Sequence, residues 1–373
     1  MIRKLVLVLA AAVFAASAAS AGEEPAETWV LSGQSNACGR GALPALPANP
    51  LVEAFDPKAG KWVPAQDPLP NMGTDRLGPW HAAALEVVAR TGKPLRLAGF
   101  AEGGQPISYF KSTAPGGKAL LQSIRARGAG AGVFLWYQGE TDALNKLDPK
   151  TYQEELKELV GVVRAEAGNP RMTAVIVQLA HWNSPGRPAD FMAIREAQRR
   201  FVVADGDALL VSALGRKAGD YVHLHRDGYL ELGKEIGRAL LKSRYAQKDL
   251  DWPGPVLDAA VLSADGKTVV AHFAEVKKLA GVEAADFGVV DSGGAAKSLR
   301  AAAAKAEAGN TVVTLAFAEP VKLPAALVYG AGNNPKATLV DEAGNRAPAV
   351  QIEITQGAAP ADQPSVAANG AGK

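Results

Sequence analysis

Short apolar runs alternate with amphipathic stretches from Thr28 to about Tyr245. The runs do not alternate strictly between apolar and polar residues, which is typical of strands buried on both faces of a sheet. They are Trp29–Ser32, Leu95–Phe100, Gly132–Tyr137, Thr173–Leu179 and Ala208–Val211. Predicted helices lie between or after them, near Trp80–Thr91, Gly117–Arg127, Pro149–Ala167, Pro188–Val203 and Arg226–Arg244. This order predicts an α/β fold with a doubly wound parallel sheet.

The pattern changes at the proline-rich segment Asp251–Pro255. Short β-like runs follow, separated by turn signals such as Asp265-Gly266. The runs are Thr268–Phe273, Phe287–Val290, Asn310–Phe317, Ala326–Tyr329 and Val350–Ile354. We therefore predict an α/β domain over residues 22–250 and a smaller all-β sandwich module over residues 251–356. Residues 357–373 are predicted to be a disordered tail. The stretch Gly41–Asn71, rich in proline and alanine, predicts a long ordered loop.

The first 21 residues have the pattern of a secretory signal peptide. Arg3 and Lys4 precede the apolar run Leu5–Ala16, and Ala19-Ser20-Ala21 is a small-residue cleavage pattern. The apolar run is too short to span a bilayer, so no membrane span is expected after cleavage. An uncleaved or lipidated anchor is the alternative. The pattern predicts a secreted or periplasmic protein of a bacterial envelope.

Charge and cysteine content exclude several classes of function. Without residues 1–21 the chain holds 38 basic and 38 acidic residues, with no basic cluster, so nucleic acid is not an expected partner. The single cysteine, Cys38, cannot form an internal disulfide. No cysteine pair or histidine cluster has metal-ligand spacing, so neither a metal nor another cofactor is predicted.

A candidate nucleophile follows the first predicted strand. Gly33-Gln34-Ser35-Asn36 places a serine at the carboxyl edge of the sheet, where α/β folds bind ligands. A serine needs a general base, which is most often histidine. His223 lies three residues after Asp220, a spacing that lets the carboxylate meet one ring nitrogen while the other faces outward. Alternatively, Asp220 caps the last helix and His223 is a solvated loop residue.

Two further strand ends offer donors for an oxyanion. Ala101–Gln105 contains adjacent glycines, whose main-chain N–H groups approach a ligand closely. Trp136–Asp142 contains Gln138, a neutral amide donor, and two carboxylates that also allow an interpretation as a glycosidase pair. Of the other histidines, His225 is the rival base, and His181 is a candidate binding residue because it follows a predicted strand.

Four blocks occur in the order Gly33–Asn36, Gly103-Gly104, Trp136–Asp142 and Asp220-x-x-His223. With this combination the chain resembles the SGNH-hydrolase superfamily, in particular its carbohydrate-esterase branch of sialate O-acetylesterases and acetylxylan esterases, over Trp29–Leu241. The resemblance implies a flavodoxin-like, three-layer α/β/α domain. More weakly, the region from Val328 to Gly344 resembles the C-terminal β region of sialate O-acetylesterase-like proteins.

The resemblance implies roles for individual residues. Ser35 matches the nucleophile, His223 the base and Asp220 the acid of the triad. The implied oxyanion hole comprises Ser35, Gly104 and Gln138, with Gly103 as the alternate donor. Residues expected to bind substrate or brace the site are Gln34, Asn36, Gly103, Glu140, Asp142 and His181.

We therefore predict a secreted, metal-independent serine esterase. It would remove O-acetyl groups from a carbohydrate, such as sialic acid or xylan, through an acyl-enzyme. One alternative is a catalytically inactive carbohydrate-binding or envelope-assembly protein, and another is an esterase for a non-sugar ester. An α/β-hydrolase does not fit, because Ser35 lacks the G-x-S-x-G elbow of that fold. The oligomeric state, the specific sugar and the packing of the β module are not predicted.

Overall fold

The structure is a computed structural model that describes residues 25–184, 189–291, 299–306 and 311–357. The predicted signal peptide, residues 1–21, lies outside the described residues, and so does the predicted tail except for Gly357. Among the described residues, no helix combines the length and the apolar character needed to cross a membrane.

The first sheet has seven strands, and its centre is parallel. The strands are β1 (Glu27–Gly33), β2 (Val52–Asp56), β3 (Lys61–Pro64), β4 (Leu95–Ala101), β5 (Val133–Tyr137), β6 (Thr173–Gln178) and β7 (Ala208–Ser212). Their order is β3-β2-β4-β1-β5-β6-β7, in which only the β2–β3 pair is antiparallel. The chain leaves β1 toward β4 on one side and continues toward β7 on the other. The carboxyl end of β1 is therefore at the switch point, where this fold opens a crevice.

In the part of the chain that the structure describes, seven α-helices lie between or after these strands. They are α1 (Ser35–Cys38), α2 (Trp80–Thr91), α3 (Pro115–Ser123), α4 (Glu140–Leu144), α5 (Pro149–Ala167), α6 (Phe191–Ala204) and α7 (Arg226–Ser243). Helix α5 begins as the sequence predicts, since Asp148 accepts a hydrogen bond from the main-chain N–H of Thr151 and proline occupies the first turn. Helix α2 packs against α7, and α5 packs against α6. Right-handed crossovers in opposite directions from β1 place these two pairs on opposite faces of the sheet.

The stretch Gly41–Asn71 is not a strandless loop, so that prediction is wrong. Its strands β2 and β3 form a hairpin, and Val52–Ala54 pairs in parallel with β4. The connecting turn is closed by Asp56, whose Oδ1 accepts hydrogen bonds from the N–H groups of Lys58 and Ala59. The hairpin escaped prediction because its strands are short and the neighbouring strand supplies most of their stabilisation.

The second sheet forms an all-β module, as predicted. Its strands are β8 (Val256–Leu262), β9 (Thr268–Ala274), β10 (Phe287–Asp291), β11 (Leu299–Arg300), β12 (Ala303–Ala306), β13 (Val312–Ala316), β14 (Ala325–Tyr329) and β15 (Val350–Gln356). They form one continuous sheet in the order β11-β10-β14-β15-β8-β9-β13-β12.

This second sheet curls over its own core. The first half of β15 pairs with β14, and its last three residues pair with β8. Phe273 on β9 and Phe287 on β10 lie far apart in the strand order, yet their ring centroids are only 6.4 Å apart. The module is thus a single curled sheet, where the sequence suggested a sandwich. Strand β8 was not predicted, because a register shift between Leu257 and Ala259 breaks its alternation.

Candidate active site

The nucleophile turn starts where β1 meets β5. Gly33 has a φ of +139°, and a Cβ at this position would lie 2.1 Å from the main-chain oxygen of Tyr137. Only glycine fits this backbone without strain. The N–H of Gln34 then donates to that same oxygen at 3.0 Å, and the chain turns into α1. Ser35, the first residue of α1, is therefore held at the carboxyl edge of the sheet.

The structure brings together the three residues of the predicted triad. Oγ of Ser35 lies 2.9 Å from Nε2 of His223. Nδ1 of the same ring lies 2.7 Å from Oδ2 of Asp220. The side chain of His223 is 17% exposed and that of Asp220 is 44% exposed, so the pair is open to a ligand. The imidazole therefore bridges a hydroxyl and a carboxylate in the geometry of a nucleophile, base and orienting acid.

A tight loop presents the Asp-His pair. Oδ1 of Asp220 accepts hydrogen bonds from the N–H groups of Val222, at 2.8 Å, and His223, at 2.7 Å. The N–H of Gly219 donates to the main-chain oxygen of His223 at 2.8 Å and closes the loop. Partial burial alone would raise the pKa of Asp220, but the two N–H donors and the His223 ring outweigh it and lower that pKa. Asp220 is therefore held as a carboxylate that faces the imidazole.

Two main-chain N–H groups beside Ser35 are available to an oxyanion. None of the hydrogen bonds among the described residues uses the N–H of Ser35 or Gly104 as its donor. Gly104 has a φ of +75°, and Gly103 lies so close that a Cβ there would be 3.5 Å from Cβ of Ser35. The glycine turn thus brings its backbone against the nucleophile, as the oxyanion prediction requires.

Gln138, the third predicted donor, faces the interior. It is fully buried, and its Nε2 donates to Oε1 of Gln34 at 3.2 Å, to the main-chain oxygen of Gln105 at 3.1 Å and to Oδ2 of Asp142. Oε1 of Gln34 also accepts from the N–H of Thr141 at 3.2 Å. In this structure Gln138 and Gln34 join the loops after β1, β4 and β5 beneath the site.

Asn36 links helix α1 to the loop that carries Asp220 and His223. Its Nδ2 donates to Oε1 of Glu140 at 2.6 Å and to the main-chain oxygen of Val222 at 3.1 Å. Its Oδ1 accepts from the hydroxyl of Tyr229 at 2.6 Å. One buried amide therefore connects α1, α4, α7 and the loop that carries His223.

Glu140 and Asp142 lie below the surface. Each is 2% exposed, and Asp142 accepts hydrogen bonds from the N–H of Ile107 and from Gln138. Burial raises the pKa of Glu140 to about 7 and that of Asp142 to about 6. Buried, internally bonded carboxyl groups do not reach a glycosidic bond, which argues against the glycosidase interpretation.

We expect Glu140→Gln to reduce the pH dependence of stability between pH 4.5 and 7. The pKa of Glu140 rises from 4.5 to about 7 on folding, so the folded protein binds more protons in this window. Stability therefore falls as pH rises through it, by at most about 1.4 kcal/mol per pH unit for one group. A neutral amide removes this contribution, and its oxygen still accepts from Asn36. The measurement is the free energy of urea unfolding at several pH values.

The matched control for this experiment is Glu154→Gln. Glu154 is 67% exposed on α5 and is 3.9 Å from Lys150. We expect the control to keep the wild-type pH profile. An unchanged profile in the Glu140→Gln variant would show that Glu140 does not carry the proton uptake.

Three other histidines have different contacts in the structure. His225 caps α7, where its Nδ1 accepts from the N–H of Asp227 at 3.3 Å. His181 is 7% exposed, and its Nε2 donates to the main-chain oxygen of Asp220 at 2.9 Å, so it supports the triad loop rather than lining a crevice. His81 is fully buried, with 3.9 Å between its Nδ1 and Oδ2 of Asp67.

Three residues around the site were not singled out in the sequence. A Cβ built on Gly103 would lie only 2.9 Å from Nη2 of Arg40, so the guanidinium lies next to the glycine turn. Among the described residues, Arg40 forms no ion pair with a carboxylate. Tyr221, beside the triad acid, is 51% exposed. Trp182 packs edge-on against Tyr221 at 5.3 Å. Arg40 could have been found from the sequence, because it follows Ser35 by only five residues. Tyr221 and Trp182 could not, because only the fold brings the two rings together.

Comparison with a family model identifies the chain as an esterase. Residues 25–242 match the family model described as carbohydrate esterase, sialic acid-specific acetylesterase. The match covers more than half of the chain, and the chain belongs to this family of carbohydrate esterases.

Similar proteins agree with this assignment. The chain is 25% identical, over 245 residues, to a probable carbohydrate esterase of Arabidopsis thaliana, covering 59% of this chain and 92% of the plant protein. A crystal structure of a carbohydrate acetylesterase from Xanthomonas citri matches with a TM-score of 0.64 and 19% identity, covering 87% of this chain and 80% of that one. An Arabidopsis thaliana structure matches with a TM-score of 0.52 and 24% identity, over 59% of this chain and 99% of that one. The two structural matches show that the fold is shared.

Proposed function

We propose that the protein removes O-acetyl groups from carbohydrates by a Ser-His-Asp mechanism. The observation that supports this proposal is the continuous contact from Ser35 through His223 to Asp220, beside two free main-chain N–H groups. The family supplies the substrate class, because its description names a carbohydrate esterase and an acetylesterase.

The proposed reaction has two halves. Nε2 of His223 takes the proton of Ser35 as Oγ bonds to the ester carbonyl carbon. The N–H groups of Ser35 and Gly104 stabilise the resulting oxyanion. The imidazolium then protonates the sugar oxygen, the bond between that oxygen and the acyl carbon breaks, and an acetyl-enzyme remains. In the second half, His223 takes a proton from water as the water oxygen bonds to the acyl carbon. The bond between that carbon and Oγ of Ser35 then breaks, His223 returns the proton to Oγ, and acetic acid leaves and ionises to acetate.

The wider assignments belong to the same proposal. The strand order β4-β1-β5-β6-β7 supports a flavodoxin-like, three-layer SGNH domain over residues 22–250. The β module, residues 251–356, follows it and precedes a tail over residues 357–373. We further propose that residues 1–21 direct export, so that the esterase meets its acetylated carbohydrate outside the cell or in the periplasm.

We expect Arg40→Gln to lower kcat/KM selectively on sugars that carry a carboxylate. Arg40 puts an unpaired cation beside the glycine turn, where it suits an acidic sugar such as the sialic acid of the family description. Loss of a charge-assisted hydrogen bond corresponds to a decrease of about 10- to 100-fold. The measurement compares acetylated sialic acid with the neutral ester 4-nitrophenyl acetate.

Arg171→Gln is the control for this comparison. Arg171 is 81% exposed and precedes β6, so it lies at the amino edge of the sheet, away from Ser35. We expect both substrates to be unaffected in the control. An equal loss on both substrates in Arg40→Gln would mean that Arg40 supports the glycine turn and does not bind the sugar.

Acetate release tests the proposal as a whole. The purified protein is assayed on acetylated sialic acid, acetylated xylan and acetylated peptidoglycan fragments, and on a longer-chain ester. A fluorophosphonate probe then reports by mass spectrometry whether Ser35 forms a covalent adduct. We expect acetate release and labelling at Ser35. A folded protein that neither releases acetate nor accepts the probe would contradict the proposal and favour a carbohydrate-binding role. Faster hydrolysis of the longer-chain ester would favour a non-sugar substrate.

A further inference from the structure

A loop of the β module is bonded to the segment that follows β6. We call residues Gly330–Asn334 the module loop and residues Leu179–Asn183 the support segment. The main-chain oxygen of Asn333 accepts a hydrogen bond from the N–H of Trp182 at 2.8 Å. The side chain of Asn333 also bonds to the start of α6: Oδ1 accepts from the N–H of Phe191 at 3.1 Å, and Nδ2 donates to the oxygen of Ala189 at 3.0 Å.

A buried arginine fastens the same two segments. Arg195 on α6 is fully buried, and it donates to the main-chain oxygens of Leu179, at 2.9 Å, and Ala180 in the support segment. It also donates to the oxygens of Gly332, at 2.6 Å, and Asn333, at 3.2 Å, in the module loop. Burial lowers the pKa of Arg195 to about 9, so the guanidinium is still charged at neutral pH. Its charge is stabilised by main-chain carbonyl groups of both the support segment and the module loop.

Further contacts make the junction rigid. Gln178, at the end of β6, exchanges two hydrogen bonds with the main chain of Ala349, at 2.7 and 2.8 Å. The N–H of Gln351 donates to Oε2 of Glu196 on α6 at 3.2 Å. The side chain of Leu214, just after β7, packs in the core of the β module. The module is therefore attached to the first sheet at the ends of β6 and β7, and the support segment directly follows β6.

The support segment in turn holds the loop that carries the triad acid. Nε2 of His181 donates to the main-chain oxygen of Asp220 at 2.9 Å. The N–H of Asn183 donates to the main-chain oxygen of Tyr221 at 2.8 Å, and the Trp182 ring packs against the Tyr221 ring. Three consecutive residues of the support segment thus contact two consecutive residues of the triad loop, Gly219–His225.

We propose that the β module positions the triad carboxylate, and that Asn333 is a positioning residue that acts on Asp220 through the support segment. This inference rests on the proposed function of Asp220. Asp220 lies in a surface loop, and loops are mobile unless other elements hold them. A displacement of about 1 Å in a catalytic group costs about 100-fold in rate. The module is thus part of the catalytic architecture, not a separate adhesive unit.

The test is Asn333→Ala in the full-length protein, assayed on 4-nitrophenyl acetate. We expect kcat to fall by about 10- to 100-fold with KM within about twofold, because a displaced triad carboxylate affects the chemical step and not the binding of the ester. We also expect faster amide hydrogen exchange at Val222 and His223, whose N–H groups bond to the Asp220 carboxylate.

Asn345→Ala is the matched control. Asn345 is a fully buried asparagine of the same module, bonded to Arg238 on α7 and to the main-chain oxygen of Asp251; among the described residues it forms no hydrogen bond with the support segment. We expect it to lower thermal stability while kcat stays within about twofold of wild type. If Asn345→Ala lowers kcat as much as Asn333→Ala, the effect is one of stability alone and the proposal is wrong.

A double-mutant cycle tests the route through His181. If Asn333 acts on Asp220 through the support segment, the kcat of the double variant Asn333→Ala/His181→Ala will equal the kcat of the less active single variant. Independent, additive losses would overturn this route. If the wild type has no esterase activity, the proposed function fails, and hydrogen exchange at Val222 and His223 still decides whether Asn333 orders the triad loop.

Discussion

Ser35→Ala is expected to lower kcat on an acetate ester by about 10⁴- to 10⁶-fold. The change removes the oxygen that bonds to the acyl carbon. The thiol of Cys38 is three residues away, but burial raises its pKa to about 11, so it is a neutral thiol at the pH of the assay. Loss of acetate release, together with loss of labelling by the fluorophosphonate, would show that Ser35 carries the reaction.

Ser32→Ala provides a comparison for this variant. Ser32 is a buried serine of β1, and its Oγ donates to the main-chain oxygen of Phe100 at 2.8 Å. We expect its loss to lower stability by about 1 kcal/mol while kcat is retained. Activity of Ser35→Ala at the level of Ser32→Ala would rule out the proposed mechanism.

Asp220→Asn is expected to lower kcat by about 10⁴-fold with little change in KM. The amide oxygen can still accept from the N–H groups of Val222 and His223, so the loop keeps its shape. Its NH₂ group would then face Nδ1 of His223, which favours the tautomer that carries the proton on Nε2. An imidazole in that tautomer cannot take the proton of Ser35. Steady-state kinetics at neutral pH measure the effect.

Asp227→Asn separates this tautomer effect from a general loss of negative charge. Asp227 lies 3.2 Å from Nδ1 of His225 and is 48% exposed, so it forms a second aspartate–histidine contact close to the first along the chain. We expect kcat of this variant to stay within about twofold of wild type. Equal losses in the two variants would assign the effect to local charge and not to the triad.

Five of the parallel strands were predictable because each is a short run of apolar residues, a pattern that is visible in its own sequence. Strand β1 and helix α5 are examples, the latter with its capping aspartate and first-turn proline. Strands β2 and β8 were not predicted, each for a different reason. The first takes its stability from pairing with β4, and the second contains a bulge that disrupts the apolar alternation.

The local part of the site was also predictable. The spacing of Asp220 and His223 is enough to bring a carboxylate to one ring nitrogen, and the structure has this contact at 2.7 Å. Ser35 and His223 are 188 positions apart in the chain. Their contact depends on the strand order, which brings the segments that carry them to the same edge of the sheet.

The sequence by itself determined the α/β class, the β module and the identities of the residues that meet at the end of β1. These properties depend on residue types and short spacings, which the chain carries locally. Only the tertiary structure decided that Gln138 faces the interior, that His181 supports Asp220, and that Asn333 and Arg195 join the β module to the support segment. Such contacts link residues far apart in the chain, and their direction is set by how the two sheets pack. A pattern of single residues contains no information about that packing.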